Sequence, residues 1–181
     1  MNVANFLTCS RVILAALFTT FLFSTNPFGK FFALIAFAAA GITDYWDGKI
    51  ARNMGEVSLF GKLMDPIADK ILTLAAFFSF WRLSLLPLWM VLAVVLRDVL
   101  VTTSRFFMPP SSKSFSAGQS GKQKTFFQII YIVLVLIYLI ARQLPQWQTS
   151  WNEPALLLAR IGMTFIVFIT VWSGVRVFIK K

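Results

Sequence analysis

FFALIAFAAAGITDYWDGKIARNMGEVSLFGKLMDPIADKILTLAAFFSF, residues 31–80, decides what kind of chain this is. The stretch begins and ends as hydrocarbon, and between those ends it carries Asp44, Asp47, Asp65 and Asp69. The whole chain of 181 residues has only seven acidic residues and no histidine. An aspartate inside a membrane helix costs about 2.5–3.5 kcal/mol on insertion scales. Four so close together also repel one another unless a cation binds among them. A divalent-metal site built on two adjacent helices is the economical explanation.

Outward from that stretch, the chain is 58% hydrophobic. That excludes an ordinary soluble domain and predicts an all-α integral membrane protein. The length suits one bundle, a single domain over residues 1–181. The net charge of +10 is spread between apolar runs, with no basic tail. Anionic lipid headgroups or phosphorylated substrates are therefore the expected partners, and no nucleic acid. Cys9 is the only cysteine, so no intrachain disulfide forms. The run Val12 to Phe23 follows Arg11 in the manner of a signal peptide, but no small-x-small cleavage site follows it. It reads as a retained first helix.

Six apolar segments are expected to span the membrane in one bundle. They run from about Ser10 to Ser24, Phe31 to Asn53, Leu59 to Trp81, just after Pro87 to Met108, Lys124 to Ala141, and Pro154 to Ile179. Asn26-Pro27-Phe28-Gly29 ends the first, and a Ser/Gly-rich loop, Ser111 to Gly121, separates the fourth and fifth. Met1 to Thr8 is expected as a short interfacial segment. Six spans put both termini on one side. That side carries Lys49, Arg52, Lys62, Arg105, Lys113, Lys122, Lys124, Arg176, Lys180 and Lys181, against Lys30, Arg82 and Arg142 opposite, with Arg160 somewhat deeper. The positive-inside bias places the termini and the aspartates on the cytoplasmic side of the inner membrane.

Asp44 and Asp47 are spaced i, i+3, about 60° apart on a helix, and Asp65 and Asp69 are spaced i, i+4, about 40° apart. Carboxylates without histidine or thiolate suit a hard cation, Mg²⁺ or Mn²⁺. Four of them can hold two ions, an arrangement suited to phosphoryl chemistry. Gly48 and Gly61 lie in helical pattern, where glycine costs about 1 kcal/mol against alanine but permits close approach of a ligand. Arg52, one turn after Gly48, can reach a diphosphate with its fork of donors. Two blander readings stand beside this one. The acids would only pair with Lys49, Arg52, Lys62 and Lys70, or they would line a cation pathway. Their clustering at one end of the bundle argues against a through-path.

Written as a string, residues 44–69 are D-x2-D-G-x2-A-R-x8-G-x3-D-x3-D. This resembles the signature of the CDP-alcohol phosphotransferase family of integral membrane enzymes, with Asp44, Asp47, Gly48, Ala51, Arg52, Gly61, Asp65 and Asp69 filling its eight positions. The resemblance implies a reaction in which an alcohol hydroxyl attacks the lipid-side phosphate of a CDP-linked donor and CMP leaves. It implies metal coordination by Asp44, Asp47 and Asp65. Asp69 would be the general base and also touch metal. Asp44, Gly48, Arg52 and Gly61 would surround the cytidine diphosphate. It further implies a homodimer.

The acceptor is read from the second half. Arg97 and Asp98 lie within the fourth segment, Arg105 follows seven residues after Asp98 on the same face, and Gly121-Lys122-Gln123-Lys124-Thr125 precedes Gln128. Arg97, Arg105, Lys122 and Lys124 form a candidate cationic pocket for an acceptor phosphate. The alternatives are an internal ion pair for Arg97 and headgroup contact for Lys122 and Lys124. The R-D step, the G-K-x-K-T-x2-Q run and the opening Asn5-x2-Thr8-x2-Arg11 resemble bacterial members of the family whose acceptor is glycerol 3-phosphate. Members that make cardiolipin share similar R-D and K-x-[KN]-T patterns. The expected substrates are CDP-diacylglycerol and glycerol 3-phosphate. Phosphatidylglycerol, inositol phosphate or serine are the alternative acceptors, and a cation transporter is the alternative class.

Overall fold

The computed structural model describes the backbone of residues 3–54, 59–107 and 119–179, and side-chain surroundings within 10–43, 70–101, 103 and 124–175. Six α-helices are described: α1 Val3–Phe23, α2 Gly29–Met54, α3 Leu59–Arg82, α4 Leu88–Phe107, α5 Gln119–Ala141 and α6 Asn152–Ile179. A 3₁₀ turn, Thr149–Trp151, precedes α6, and the described residues include no strand. Among the described residues, each of the six apolar segments is thus carried by a helix. Two ends differ from expectation. α1 begins at Val3, so residues 3–8 continue the first helix, and α5 begins at Gln119, inside the expected loop. Hydropathy marks the apolar stretch, whereas a helix needs only its backbone hydrogen bonds and can run on into polar sequence.

Among the described residues, Lys124–Ala141 and Thr149–Val175 are long and apolar enough to cross a bilayer. The apolar parts of α1 and α2, Ser10–Phe23 and Gly29–Thr43, are shorter. On α6, Leu158 and Phe168 are 69% and 66% exposed while Thr170 and Ser173 are buried. A helix in water has the reverse arrangement. Apolar outside and polar inside is the pattern of a protein whose solvent is lipid.

The chain forms two compact units interleaved in sequence, Met1–Ser79 with Leu136–Pro145, and Phe80–Val135 with Gln146–Lys181. In the first, α1 and α2 make an antiparallel hairpin. Arg11, Ala15, Phe18 and Leu22 form the buried stripe of α1, and Ala33, Ala36, Phe37 and Ala40 that of α2. The alanines let the backbones approach closely, and Phe18 meets Phe37 with ring centroids 5.8 Å apart. The turn is held by Asn26, whose Oδ1 accepts from Phe28 N (2.8 Å) and whose carbonyl accepts from Gly29 N (2.9 Å). A Cβ on Gly29 would lie 2.7 Å from the Phe21 carbonyl oxygen, so the close approach of the two helix ends requires glycine. Gln143, just past α5, donates to the Pro27 carbonyl (3.2 Å) and accepts from Lys30 Nζ (3.1 Å), its amide oriented to satisfy both.

In the second unit, the end of α3 is closed by a pair of bonds, Leu85 N to Phe80 O (3.0 Å) and Ser84 N to Trp81 O (2.8 Å), with Ser84 at φ 59°. This is the Schellman arrangement with serine in the left-handed position. α5 and α6 are joined by Tyr131, whose hydroxyl donates to the Ala159 carbonyl (2.9 Å). The Tyr131 ring lies over Gly162, where a Cβ would come within 3.0 Å of it. Phe127 meets Phe165 edge-on at 5.9 Å. Before α6, Trp147 Nε1 donates to Asn152 Oδ1 (2.9 Å) and stacks edge-on with Trp151 at 5.4 Å. The helix therefore starts at Asn152, two residues before Pro154.

Candidate active site

All eight signature positions fall on helix: Asp44, Asp47, Gly48, Ala51 and Arg52 on α2, and Gly61, Asp65 and Asp69 on α3. Their side chains lie outside the described residues. The helical backbone fixes their register. On α2, Asp44 and Asp47 stand about 60° apart, and Gly48 lies about 40° from Asp44. On α3, Gly61, Asp65 and Asp69 follow one another at four-residue steps and so form a single stripe. Residues 55–58 are all that separate the two helices in sequence. That limits the gap between Met54 and Leu59 to roughly 17 Å. Pro66, next to Asp65, sits inside α3 and brings no N–H to the Lys62 carbonyl. In an ordinary helix this costs about 3 kcal/mol.

The α1–α2 register adds a residue. Phe18 pairs with Phe37, and Phe21 with Phe32. Continuing that antiparallel register along both helices sets Arg11, on the buried stripe of α1, level with Ile42 to Asp44. An arginine thus stands at the depth where the signature begins.

A second polar group lies within α4, α5 and α6. Asp98 Oδ1 accepts from Arg97 Nη1 (3.2 Å) and from Lys124 Nζ. Arg97 Nη2 donates to Ser173 Oγ (2.9 Å). The side chains of Arg97, Asp98 and Lys124 are 13%, 8% and 5% exposed. One of the two alternatives raised by the sequence receives an answer. Arg97 does pair with an aspartate, its neighbour in sequence. Lys124 is buried on that same aspartate. The three side chains carry a formal charge of plus one between them, in a place with little water. Gln128 is 2% exposed, and its Nε2 has no hydrogen-bond partner among the described residues. Arg105 lies on α4, two turns from Asp98 along the same stripe, and Lys122 lies on α5. The side chains of Arg105 and Lys122 are outside the described residues. Two positions apart on a continuous helix, Lys122 and Lys124 stand about 160° apart around the α5 axis.

Chemically, these groups are suited to two anion-handling sites. Four carboxylates on two successive helices fit hard divalent cations and, through them, a diphosphate. A buried cationic excess fits a phosphate monoester. Sequence reasoning found Arg97, Asp98 and Lys124 but missed Ser173 and Gly174. A mid-helix Ser-Gly pair carries no signal of its own.

The sequence model described as CDP-alcohol phosphatidyltransferase matches residues 1–172. A Bacillus subtilis protein named CDP-diacylglycerol–glycerol-3-phosphate 3-phosphatidyltransferase is 29% identical, over 99% of this chain and 95% of its own length. A Mycobacterium tuberculosis protein named as a probable phosphatidylglycerophosphate synthase is 32% identical, over 96% of this chain and 78% of its own. A Rickettsia bellii protein with the same name as the Bacillus one is 29% identical, over 75% of each chain.

Proposed function

The chain belongs to the CDP-alcohol phosphatidyltransferase family, and from that premise we propose that it transfers the phosphatidyl group of CDP-diacylglycerol to glycerol 3-phosphate. The products are phosphatidylglycerophosphate and CMP. The observation that carries this is the complete eight-position signature, borne on α2 and α3 within a match to nearly the whole chain. The acceptor follows the printed names of the Bacillus, Mycobacterium and Rickettsia relatives, with support from the buried cationic excess at Arg97 and Lys124.

In this reading Gly48, Arg52 and Gly61, with Asp44, cradle the cytidine diphosphate. Arg52 supplies a planar fork of donors to its oxygens. Arg97, Arg105 and Lys124 hold the acceptor's phosphate. Asp69 orients the acceptor's primary hydroxyl and takes its proton, because an alcohol is far too weak an acid to ionise near neutral pH. The hydroxyl oxygen bonds to the lipid-side phosphorus while the bond from that phosphorus to the CMP oxygen breaks. Two ions, Mg²⁺ or Mn²⁺, held by Asp44, Asp47, Asp65 and Asp69, would offset the diphosphate charge and stabilise CMP as leaving group. The chain is a single domain of six membrane spans in the inner membrane. Its termini and signature aspartates face the cytoplasm, in line with its lysine and arginine distribution, and it works as a homodimer.

The test is CMP release by the purified protein in detergent, with CDP-diacylglycerol, Mg²⁺ or Mn²⁺, and one alcohol at a time. Release with glycerol 3-phosphate alone is expected. Release only with phosphatidylglycerol, inositol phosphate or serine would overturn the acceptor and keep the chemistry. Metal-dependent ion flux with no CMP release would replace the enzyme with a transporter.

A further inference from the structure

We propose that the Ser173–Gly174 step of α6 is a positioning device for Arg97, and that it tunes the affinity for the acceptor's phosphate. This rests on the reading of Arg97 as an acceptor-phosphate ligand.

A guanidinium on a flexible stem binds a phosphate well only when its plane is fixed beforehand. Two contacts fix it here from different directions. Asp98 Oδ1 takes Nη1 at 3.2 Å, and Ser173 Oγ takes Nη2 at 2.9 Å. The bonds use two of the five guanidinium donors, and the other hydrogens on Nη1 and Nη2 remain for a ligand. Ser173 is buried, and its hydroxyl accepts from another helix. Thr164, on the same helix, instead donates to its own backbone at Arg160 O (2.9 Å), the usual habit of a helical hydroxyl.

Gly174 explains how the arginine reaches that far. A Cβ at position 174 would lie 3.1 Å from Arg97 Cγ and 3.2 Å from Nε. The stem of Arg97 therefore lies directly on the bare α-carbon of Gly174. No left-handed backbone requires glycine at this point, since it lies within continuous α6. Close approach is the remaining reason for it. A methyl group there would push the guanidinium aside by a few tenths of an ångström. Small displacements of a positioning group lower the fit to a ligand.

The experiment uses the full chain in detergent, with steady-state KM measured separately for glycerol 3-phosphate and CDP-diacylglycerol, and a thermal midpoint for every variant. Ser173→Ala is expected to raise KM for glycerol 3-phosphate about tenfold, the scale of one lost hydrogen bond to a charged group. Gly174→Ala should raise it about threefold. KM for CDP-diacylglycerol should stay within about twofold in both, because the effect is confined to one ligand. Ser173→Thr, which keeps the hydroxyl, should recover most of the Ser173→Ala loss. Arg97→Lys is measured alongside and is expected to raise the same KM.

Equal changes in both KM values, or a lower midpoint with neither KM changed, would make the step mere helix packing and overturn the proposal. A raised KM in Arg97→Lys with none in Ser173→Ala or Gly174→Ala would overturn the positioning role alone. An unchanged KM in Arg97→Lys would remove Arg97 from the acceptor site, and the proposal would fall with it. Ser173→Ala removes one oxygen from a buried site, so it remains informative if Gly174→Ala does not fold.

Discussion

In the proposed reaction, the signature helices and the α4–α5–α6 cluster handle phosphate by different means. On α2 and α3 the chemistry lies within 26 residues, and the spacing of one helix turn aligns it. In the cluster, Arg97 and Ser173 are 76 residues apart, and Asp98 and Lys124 are 26 apart. Only packing brings them together. The first sets four aspartates in helical register, the ligand set for a cation in the proposed reading. The second gathers an arginine and a lysine around one aspartate. A region whose function is carried by spacing can lose activity without losing its fold. A region whose function is carried by packing cannot lose its central charge without both being disturbed.

The sharpest break in that contrast comes at Asp69. Asp69→Asn keeps the size of the side chain and removes its basicity. Turnover is expected to fall about 10²- to 10⁴-fold, the usual contribution of a positioned general base. CDP-diacylglycerol binding and the thermal midpoint should stay close to those of the parent. The check is kcat from CMP release beside equilibrium binding of the CDP donor. A variant that turns over normally would take the base assignment away from Asp69.

Asp98 should behave in the opposite way. Asp98→Asn leaves Arg97 and Lys124 buried with no carboxylate at the atom both now share. Removing one partner of a buried pair typically costs about 3–5 kcal/mol. The detergent thermal midpoint should therefore drop markedly, and Asp98→Asn combined with Lys124→Gln should recover part of it. A midpoint equal to the parent's would mean that the shared carboxylate is not what holds α4 to α5.

The same contrast explains what was legible in the chain. Each of the six helices announces itself as an apolar run, and turns such as Asn26-Pro27-Phe28-Gly29 are written in residues with one preferred geometry. The helix ends were less legible. Gln119 to Gly121 read as loop because they are polar or glycine, yet they belong to α5. The aspartate register was legible because neighbours on a helix are three or four residues apart in sequence. Asp98 and Lys124 were visible singly as intramembrane charges, but not as partners. Ser173 and Gly174 were not visible at all, since their meaning depends on which helix faces them.

Tyr131 offers the smallest and most discriminating test. It belongs to the same packed helices as Asp98, and its hydroxyl ties α5 to the Ala159 carbonyl of α6 at 2.9 Å. That carbonyl lies within α6 and also accepts its own helical bond four residues on, from Met163. Tyr131→Phe therefore removes a donor without stranding an acceptor, and the ring still covers Gly162. The loss should be about 0.5–1.5 kcal/mol, toward the lower end because hydrogen bonds between membrane helices average about 0.6 kcal/mol. Thermal midpoints in detergent measure it, with CMP release expected to stay at the parent's level. If Tyr131→Phe destabilises as much as Asp98→Asn, any polar link between these helices would matter equally. The shared aspartate would then have no special standing in the cluster.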